Sequence, residues 1–304
     1  MKHHSSLQKI EPSEGTTRFA SDACCDVSGT SDSEFEHDCA NVLGINVSAV
    51  NLDTTVEMVD QWIAAGNRGY ICVTGVHGIM EAQADPELKQ ILNNAFINTP
   101  DGMPMSWVGR IQGFQKMDRV YGPDLMASLC QISVARNYRH FLYGGETGVA
   151  DLLKQRLENS FPGLQIVGTY TPPFRNLTGE EEEEIFRQIQ ELQPHILWVG
   201  LSTPKQERFM ARYVDRLQVP LMVGVGAAFD YHTGRISDCS YWIKRAGLQW
   251  LHRLLQDPRR LWKRYLKNNP AFLWRISLQI LMLRRYPQPA SRRVHRKNKI
   301  VTIC

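Results

Sequence analysis

The amino-acid sequence predicts an α/β fold in which helices cover both faces of a parallel sheet, followed by a basic helical appendage. From residue 42 to residue 225, short β-rich runs alternate with segments in which apolar residues recur at helical spacing. Strands that alternate with helices of this length favour a parallel sheet with helices on both faces. Beyond Gly234 the β signal stops and the sequence predicts helices.

The predicted α/β domain comprises residues 41–240, about 200 residues, which is within the usual range for one domain. Its predicted elements follow one another in strict alternation at first. The β-rich runs are 42–47, 70–74, 96–99, 140–143, 164–168, 196–199 and 220–225. The segments of helical period are 54–65, 79–93, 103–111, 124–136, 149–159, 180–192 and 205–216.

The composition excludes several classes of protein. Mean hydropathy is −0.32 and no run reaches the eighteen apolar residues of a spanning helix, so a polytopic membrane protein is excluded. Residues 1–40 are rich in Ser, Thr, Asp and Glu and are predicted to be a disordered tail without a secretory signal. The seven cysteines have neither CxxC nor zinc-finger spacing, which predicts reduced thiols in a cytosolic protein.

The C-terminal part carries most of the positive charge. From Trp242 to Cys304 there are sixteen Lys and Arg residues against one acid, Asp257, whereas the preceding 241 residues carry 19 basic and 30 acidic side chains. The tail therefore has a net charge of +15 and the body −11. This asymmetry predicts an anionic partner. The charge alone does not distinguish a nucleic acid, an acidic membrane leaflet and a phosphorylated ligand.

Residues 241–285 are predicted to form the basic amphipathic appendage, and residues 286–304 a basic disordered tail. The sequence from Leu248 to Leu283 predicts helix, with interruptions at Pro258 and Pro270. Two apolar stripes run through it: Trp250, Leu251, Leu254, Leu255, Leu261, Trp262 and Tyr265, and then Phe272, Ile276, Ile280 and Leu283. Such a segment lies in a membrane interface or packs on its own domain, and the sequence alone leaves both open.

Candidate chemistry lies in the turns after strands, because ligands collect at the carboxyl ends of parallel strands. The turn that follows 70–74 holds Thr74 and His77, and the turn that follows 96–99 holds Asp101. Both turns have an ordinary structural interpretation, a satisfied histidine and an Asp-Gly turn. The strand order would nevertheless place Asp101 over the same edge as Thr74 and His77, where a carboxylate can act as a general base.

Three glycine-rich turns complete this edge. Gly144, Gly145 and Gly148 follow the 140–143 strand, and their backbone amides are suited to a diphosphate. Gly200 opens a segment in which Ser202 or Thr203 is expected to cap the next helix, with Lys205 and Gln206 pointing into the cleft. Gly226 lies in the last of these turns. The turns match neither GxGxxG nor a P-loop, and the chain contains no Asp-x-Asp, so neither a cofactor nor a divalent metal is expected.

Seven segments occur in this order along the chain: VTGVHGIMEAQADPEL, TPDGMPMSW, RVYGPDLM, FLYGGETGVADLL, WVGLSTPKQE, VGVGAAFDYHTG and GLQWLHRLLQDPRRLWKRYL. Together they resemble the WecG/TagA/CpsF family of bacterial glycosyltransferases over about residues 42–266. The resemblance implies a Rossmann-like α/β body and an appendage that engages the membrane and helps to complete the active site. It also implies an inverting transfer of a sugar from a UDP-sugar to an undecaprenyl-diphosphate-linked saccharide.

The resemblance assigns residues position by position. Asp101 is the implied general base, and Thr74 matches the family's threonine. His77 stands where many members have an asparagine, since this chain has Thr-Gly-Val-His after the strand. The UDP-sugar is assigned to Arg119 and Gln206 together with Gly144, Gly145, Gly148, Gly200 and Gly226. The lipid diphosphate and the head groups are assigned to Arg253, Arg259, Arg260 and Arg264.

The expected location is the inner face of the plasma membrane, on which a peripheral enzyme would meet its polyprenyl-diphosphate acceptor. A homo-oligomer is a further expected partner state that the sequence leaves open. The TGVHG wording is most similar to the exopolysaccharide branch, and the donor sugar is left open among hexoses, N-acetylmannosamine and its uronic acid. Two other functions are alternatives. A nucleic-acid-binding protein would explain the basic tail but not the cleft motifs, and an oxidoreductase would lack its dinucleotide fingerprint. No nucleic-acid partner is expected.

Overall fold

The computed structural model describes Phe35 and residues 37–288. The disorder predicted for residues 1–40 and 286–304 therefore falls almost wholly outside the described residues and stays a prediction. The strands are β1 Cys39–Val42, β2 Ile45–Ser48, β3 Gly69–Thr74, β4 Ile97–Pro100, β5 Arg139–Gly144, β6 Gln165–Tyr170, β7 Ile196–Gly200 and β8 Leu221–Gly224.

Helices surround these strands. The body contains α1 Leu52–Ala64, α2 Val76–Glu81, α3 Pro86–Asn93, α4 Met103–Ile111, α5 Gly122–Arg136, α6 Val149–Ser160, α7 Gly179–Leu192, α8 Lys205–Leu217 and α9 Ala228–His232. The appendage contains α10 Tyr241–Arg245, α11 Gln249–Gln256 and α12 Pro258–Ile280.

In the described part of the chain, six strands form a parallel sheet in the order β4-β3-β8-β7-β5-β6. Side chains of β7 alternate between two hydrophobic clusters. Leu197 and Val199 enter one cluster, and Ile196 and Trp198 enter the other, so each face of the sheet has its own core. The predicted Rossmann-like α/β fold with helices on both faces is confirmed, and the carboxyl ends of all six strands lie at one edge.

The first predicted strand, 42–47, is wrong as a single element. The chain reverses at Leu43 and Gly44, which have φ values of 54° and 80°, and β1 pairs with β2 in an antiparallel hairpin outside the parallel sheet. A two-residue turn with both residues at positive φ matches the twist of a hairpin. The run is continuously apolar around Gly44, so its periodicity did not mark the reversal.

The predicted helix 79–93 is divided into two. Asp85 ends the interruption: its side chain accepts a hydrogen bond from the Leu88 N–H, and Pro86 occupies the first turn of α3. An aspartate cap followed by proline is a strong helix-start signal, because the cap satisfies an orphan amide and proline has none to lose. Here the local signal outweighs the apolar periodicity that runs through both helices.

The predicted break at Pro258 is confirmed, and the predicted break at Pro270 is wrong. Asp257 caps α12 at the Arg260 N–H, and Pro258 is its first residue. Pro270 lies inside the helix, where it removes one backbone hydrogen bond. The helix continues because Asn268, Phe272 and other residues on the same face are buried on the body on either side of the proline.

One face of α12 packs into the core of the body. Phe272 and Ile276 belong to the same hydrophobic cluster as Ile79 of α2. The predicted stripe does not continue: Ile280 is 38% exposed and Leu283 is 71% exposed. The appendage thus packs one face on its own domain and leaves others exposed. Within the described residues, none of the helices combines the length and the apolarity that crossing a bilayer requires.

Candidate active site

Thr74 and Asp101 meet at the carboxyl edge of the sheet. Thr74 ends β3 and is paired with Pro100 of β4, and the Asp101 N–H donates to the Thr74 carbonyl over 3.0 Å. Gly75 makes room for the aspartate, since a Cβ atom there would lie 3.1 Å from the Asp101 backbone oxygen and 3.5 Å from Oδ2. The predicted placement of Thr74, His77 and Asp101 over one edge is what the parallel sheet produces.

The surroundings of the Asp101 carboxyl raise its pKa above the ordinary value for aspartate. Burial raises its pKa to about 6, with the nearby Asp124 carboxylate acting in the same direction. The positive charges of Arg119 and Arg253 act in the opposite direction and limit the rise. A carboxylate with this pKa is ionised at neutral pH and is more basic than an exposed aspartate, which suits it to general-base chemistry.

Arg119 is held by contacts from both the body and the appendage. Its side chain is 10% exposed; Nη2 lies 3.2 Å from Asp124 Oδ2 and Nη1 donates to Gln249 Oε1 of α11 over 2.7 Å. The guanidinium also lies 4.5 Å from the centre of the Tyr121 ring. These contacts fix the planar group in one orientation while it acts on Asp101.

Arg253 brings a second cation from the appendage to the same place. Its guanidinium lies 5.2 Å from the centre of the Tyr231 ring, and this ring packs edge-on against Tyr121 at 5.5 Å. Two tyrosine rings therefore lie between two guanidinium groups. The sequence placed Arg253 on the appendage and Arg119 in the body, and only the fold shows that both act on Asp101.

The other three appendage arginines are placed differently. Arg259 and Arg260 are exposed, and Arg260 is paired with Asp257 over 2.5 Å. Arg264 is half-buried, and its charge acts on His77. Of the four arginines assigned to the lipid diphosphate or head groups, Arg253 alone acts on Asp101 in the described structure; the roles of all four stay predictions.

His77 connects the body with the appendage. Its Nδ1 lies 3.0 Å from Asn268 Nδ2 of α12, which makes the ring nitrogen an acceptor, and 3.6 Å from Glu81. Burial lowers the pKa of His77 to about 4, and the charges of Arg264 and Lys267 add to this. The ring is thus neutral at pH 7 and fixed to α12. Its predicted catalytic role is untested.

The glycine turn after β5 departs from its predicted role in one respect. The Gly145 N–H donates to the Gly200 carbonyl over 3.0 Å, so this amide is not free to bind a diphosphate. A Cβ on Gly144 would lie 2.5 Å from the same carbonyl, and Gly144 and Gly145 have φ values of 125° and 78°. Gly144 thus lets the end of β5 approach β7 closely, and Gly145 leaves room for the side chains of Val149 and Phe229. Gly148 caps α6 with open space where a Cβ would lie.

The turn after β7 also differs from its predicted role as a helix cap. Neither Ser202 nor Thr203 caps α8; the Thr203 hydroxyl donates to Glu207 Oε1 over 2.8 Å instead. Lys205 is exposed, whereas Gln206 is buried beside the glycines of the next turn, with Gly226 closest to its oxygen. Of the two side chains predicted to enter the cleft, Lys205 is exposed and Gln206 is buried, and the roles of both stay predictions.

Three site residues were missed at the level of the sequence. Tyr121 and Tyr231 carry the rings between the two arginines, and Asp230, half-buried, pairs with Arg235 at 3.4 Å. Burial raises the pKa of the Asp230 carboxyl. All three occur in segments that were already notable, RVYGPDLM and VGVGAAFDYHTG; Asp230 and Tyr231 follow β8, whereas Tyr121 directly precedes α5.

In the described ranges, no three His, Cys, Asp or Glu side chains are grouped so that they could hold a metal ion. The expectation of a metal-independent reaction stays a prediction.

Comparison with known proteins gives a consistent result. A family described as the glycosyl transferase WecG/TagA/CpsF family matches residues 40–286. The N-acetylglucosaminyldiphosphoundecaprenol N-acetyl-beta-D-mannosaminyltransferase of Bacillus spizizenii is 30% identical over 201 residues, which cover 66% of this chain and 76% of the relative. Proteins of the same name from Bacillus subtilis and Staphylococcus aureus (strain MW2) are 26% and 21% identical, over 60% and 78% of this chain and 69% and 91% of the relatives. The family match includes the whole parallel sheet and all three helices of the appendage.

Proposed function

Because the chain belongs to the WecG/TagA/CpsF family and is a glycosyltransferase of polysaccharide biosynthesis, we propose that it is an inverting enzyme that uses a UDP-sugar. The proposed acceptor is a saccharide linked to undecaprenyl diphosphate, in keeping with the acceptor named for the relatives. Their names make N-acetylmannosamine the first donor sugar to test, with hexoses and N-acetylmannosaminuronic acid as the other candidates. The proposed product is a cell-surface or extracellular polysaccharide.

The observation that supports this proposal is a partly buried carboxylate at the sheet edge whose pKa is lowered by two cations from different parts of the chain, against the larger effect of burial. In the proposed reaction, Asp101 removes the proton from the acceptor hydroxyl as the oxygen attacks the anomeric carbon. The bond from this carbon to the UDP oxygen breaks on the opposite face, so the configuration inverts. The proton ends on Asp101, and the electron pair of the broken bond leaves with UDP. Arg119 and Arg253 stabilise the negative charge that develops on the diphosphate.

The direct test is incubation of the purified protein with UDP-N-acetylmannosamine, UDP-glucose or UDP-N-acetylmannosaminuronic acid. The acceptor in each assay is a short-chain polyprenyl-diphosphate N-acetylglucosamine. We expect UDP release only when donor and acceptor are both present, and NMR of the product should show inversion at the anomeric carbon. A parallel assay with EDTA tests the expected independence of divalent metals. Absence of sugar transfer with every donor would contradict the proposal.

We further propose that the enzyme attaches peripherally to the inner face of the plasma membrane through α12. Trp262, Leu266 and Leu273 are 46%, 65% and 61% exposed, and their spacings of four and seven residues place them on one side of the helix. Lys263 and Lys267 are exposed on the adjoining side, where they would face anionic head groups. Each such cation contributes about 1 kcal/mol near an anionic leaflet.

Replacing Trp262, Leu266 and Leu273 together with serine should lower binding to anionic vesicles at least tenfold. Burying one large apolar side chain contributes about 1.5–3 kcal/mol, so loss of three should dominate the remaining electrostatic attraction. Cosedimentation with phosphatidylglycerol-containing vesicles measures the effect. Point substitution is preferable to deletion of the appendage, since deletion would also take Phe272 and Ile276 out of the core.

The matched control for this prediction is the double variant Leu152→Ser and Phe174→Ser. Both side chains are exposed, at 37% and 95%, and both lie in the body. The control should bind vesicles as the wild type does. Equal binding of the triple variant and the wild type would contradict attachment through this side of α12.

A further inference from the structure

A buried polar cluster lies under the glycine turn of β8, beside the proposed donor site. Gln206 is 2% exposed and Glu207 is 1% exposed. Glu207 Oε1 accepts two hydrogen bonds, one from the Thr203 hydroxyl at 2.8 Å and one from Gln206 Nε2 at 3.1 Å. The carboxyl group of Glu207 is thus the centre of the cluster and joins Thr203 to Gln206.

Three oxygens of this region are buried without a hydrogen-bond partner among the described residues. They are Gln206 Oε1, Glu207 Oε2 and Thr74 Oγ1. A buried polar atom left unpaired costs about 1–3 kcal/mol, and native proteins contain few of them. An acceptor that is kept unpaired at the ligand edge of a parallel sheet is therefore best explained by a partner that arrives with the substrate.

The orientation of the Gln206 amide follows from its contact with Glu207. Oε1 of Glu207 accepts from both the Thr203 hydroxyl and Gln206 Nε2, so the Gln206 NH₂ group faces Glu207 and the Gln206 carbonyl oxygen points the other way. That oxygen lies 3.5 Å from the point where a Cβ on Gly226 would be. Gly226 has a φ of 52°, a conformation that favours glycine, and its backbone passes close to this oxygen.

We propose that Glu207 is a positioning residue that locks Gln206 with its amide oxygen facing the donor site, where it accepts a hydrogen bond from an N–H or O–H group of the nucleotide sugar. The inference rests on the proposed use of a UDP-sugar. Burial also raises the pKa of the Glu207 carboxyl, which favours the neutral acid. The neutral acid carries its proton on Oε2 and still accepts at Oε1, so the lock does not depend on the charge of Glu207.

The test compares Glu207→Met, which is close in shape but cannot accept strongly, with Glu207→Gln, which keeps an acceptor at the same place. The Met variant should raise the KM for the donor about tenfold, as expected for loss of one well-placed hydrogen bond. Its kcat and the KM for the acceptor should change less than twofold. The Gln variant should restore the donor KM to within about twofold of the wild type.

A double-mutant cycle separates positioning from a general structural effect. Gln206→Ala should raise the donor KM about as much as Glu207→Met does, and the double variant should be no worse than Gln206→Ala alone, because Glu207 acts through Gln206. Additive effects would overturn the inference, and so would a Met variant that loses thermal stability with the donor KM unchanged. A crystal structure of the wild type with UDP-sugar gives a test that does not depend on any variant. Gln206 Oε1 more than 4 Å from every N–H and O–H of the ligand would overturn the inference.

Binding of UDP and of UDP-sugar by titration calorimetry identifies the ligand group. If Glu207→Met weakens the binding of UDP and of UDP-sugar equally, the group that donates the hydrogen bond to Gln206 belongs to the nucleotide. If it weakens only the binding of UDP-sugar, that group belongs to the sugar. Failure of the wild type to bind or use any UDP-sugar would instead contradict the proposed function. A wild type that is active, with a Met variant of unchanged KM, would contradict only the role of Glu207.

Discussion

Replacement of Asp101 with asparagine should lower kcat about 10²- to 10⁴-fold, the range that a positioned general base contributes. Asparagine has nearly the same shape and keeps a hydrogen-bonding oxygen, but it cannot take a proton from the acceptor hydroxyl at neutral pH. Asp101 acts on the acceptor, so the Kd for UDP should stay within about threefold of the wild-type value. Steady-state UDP release and calorimetric titration with UDP measure the two quantities.

The pH dependence of the wild type provides the control for this prediction. Burial raises the pKa of Asp101 to about 6, and a base must be ionised to act, so kcat should fall about tenfold per unit as the pH drops below about 6. The residual activity of Asp101→Asn should lack this limb. The buried charge also opposes folding above about pH 6, so the asparagine variant should melt no lower than the wild type at pH 8. A variant with near-normal kcat would rule out Asp101 as the base.

Much of the fold was predictable because its elements are long and regular. The run at 103–111 coincides with α4, and other runs, such as 196–199 against β7, agree to within a residue or two at each end. The failures have tertiary causes. Around Gly44 an apolar run conceals a hairpin, and at Pro270 the packing of Phe272 and its neighbours outweighs the lost hydrogen bond. Of the three functions that the sequence left open, the family match confirms the glycosyltransferase.

The site was predictable where one turn holds the chemistry and not where the tertiary fold assembles it. Asp101 follows a strand and precedes a helix, so its place at the sheet edge follows from local sequence. The pairing of Arg119 with Gln249 joins residues 130 positions apart, and no local pattern contains it. The Gly145 amide is committed to Gly200 through a close contact between strands that are adjacent in the sheet but not in sequence. Glycine content alone could not distinguish this contact from an anion site.

Substitution of Arg253 with alanine should lower kcat about 10²- to 10³-fold, comparable to removal of one donor that stabilises a developing anion. The guanidinium is held over the Tyr231 ring and acts on Asp101 from the appendage, so its loss removes charge from the site without opening the core of the body. Arg253→Lys keeps the charge but not the planar fork that stacks on tyrosine, and it should recover only part of the rate. A water-soluble, short-chain acceptor keeps membrane binding out of the measurement.

The decisive readout for Arg253 is the pH profile, because a merely structural role would leave it unmoved. The positive charge of Arg253 lowers the pKa of Asp101 against the larger opposite effect of burial. Removing it should therefore move the acidic limb of the kcat profile above its wild-type midpoint of about 6, whereas Arg253→Lys should leave the midpoint nearly in place. Arg285→Ala is the matched control, since Arg285 is an exposed arginine beyond the end of α12 and should alter neither kcat nor the midpoint. An alanine variant with lower kcat but an unshifted limb would place Arg253 too far from Asp101 to share a site with it, and the proposed joining of body and appendage around the reacting groups would then be incorrect.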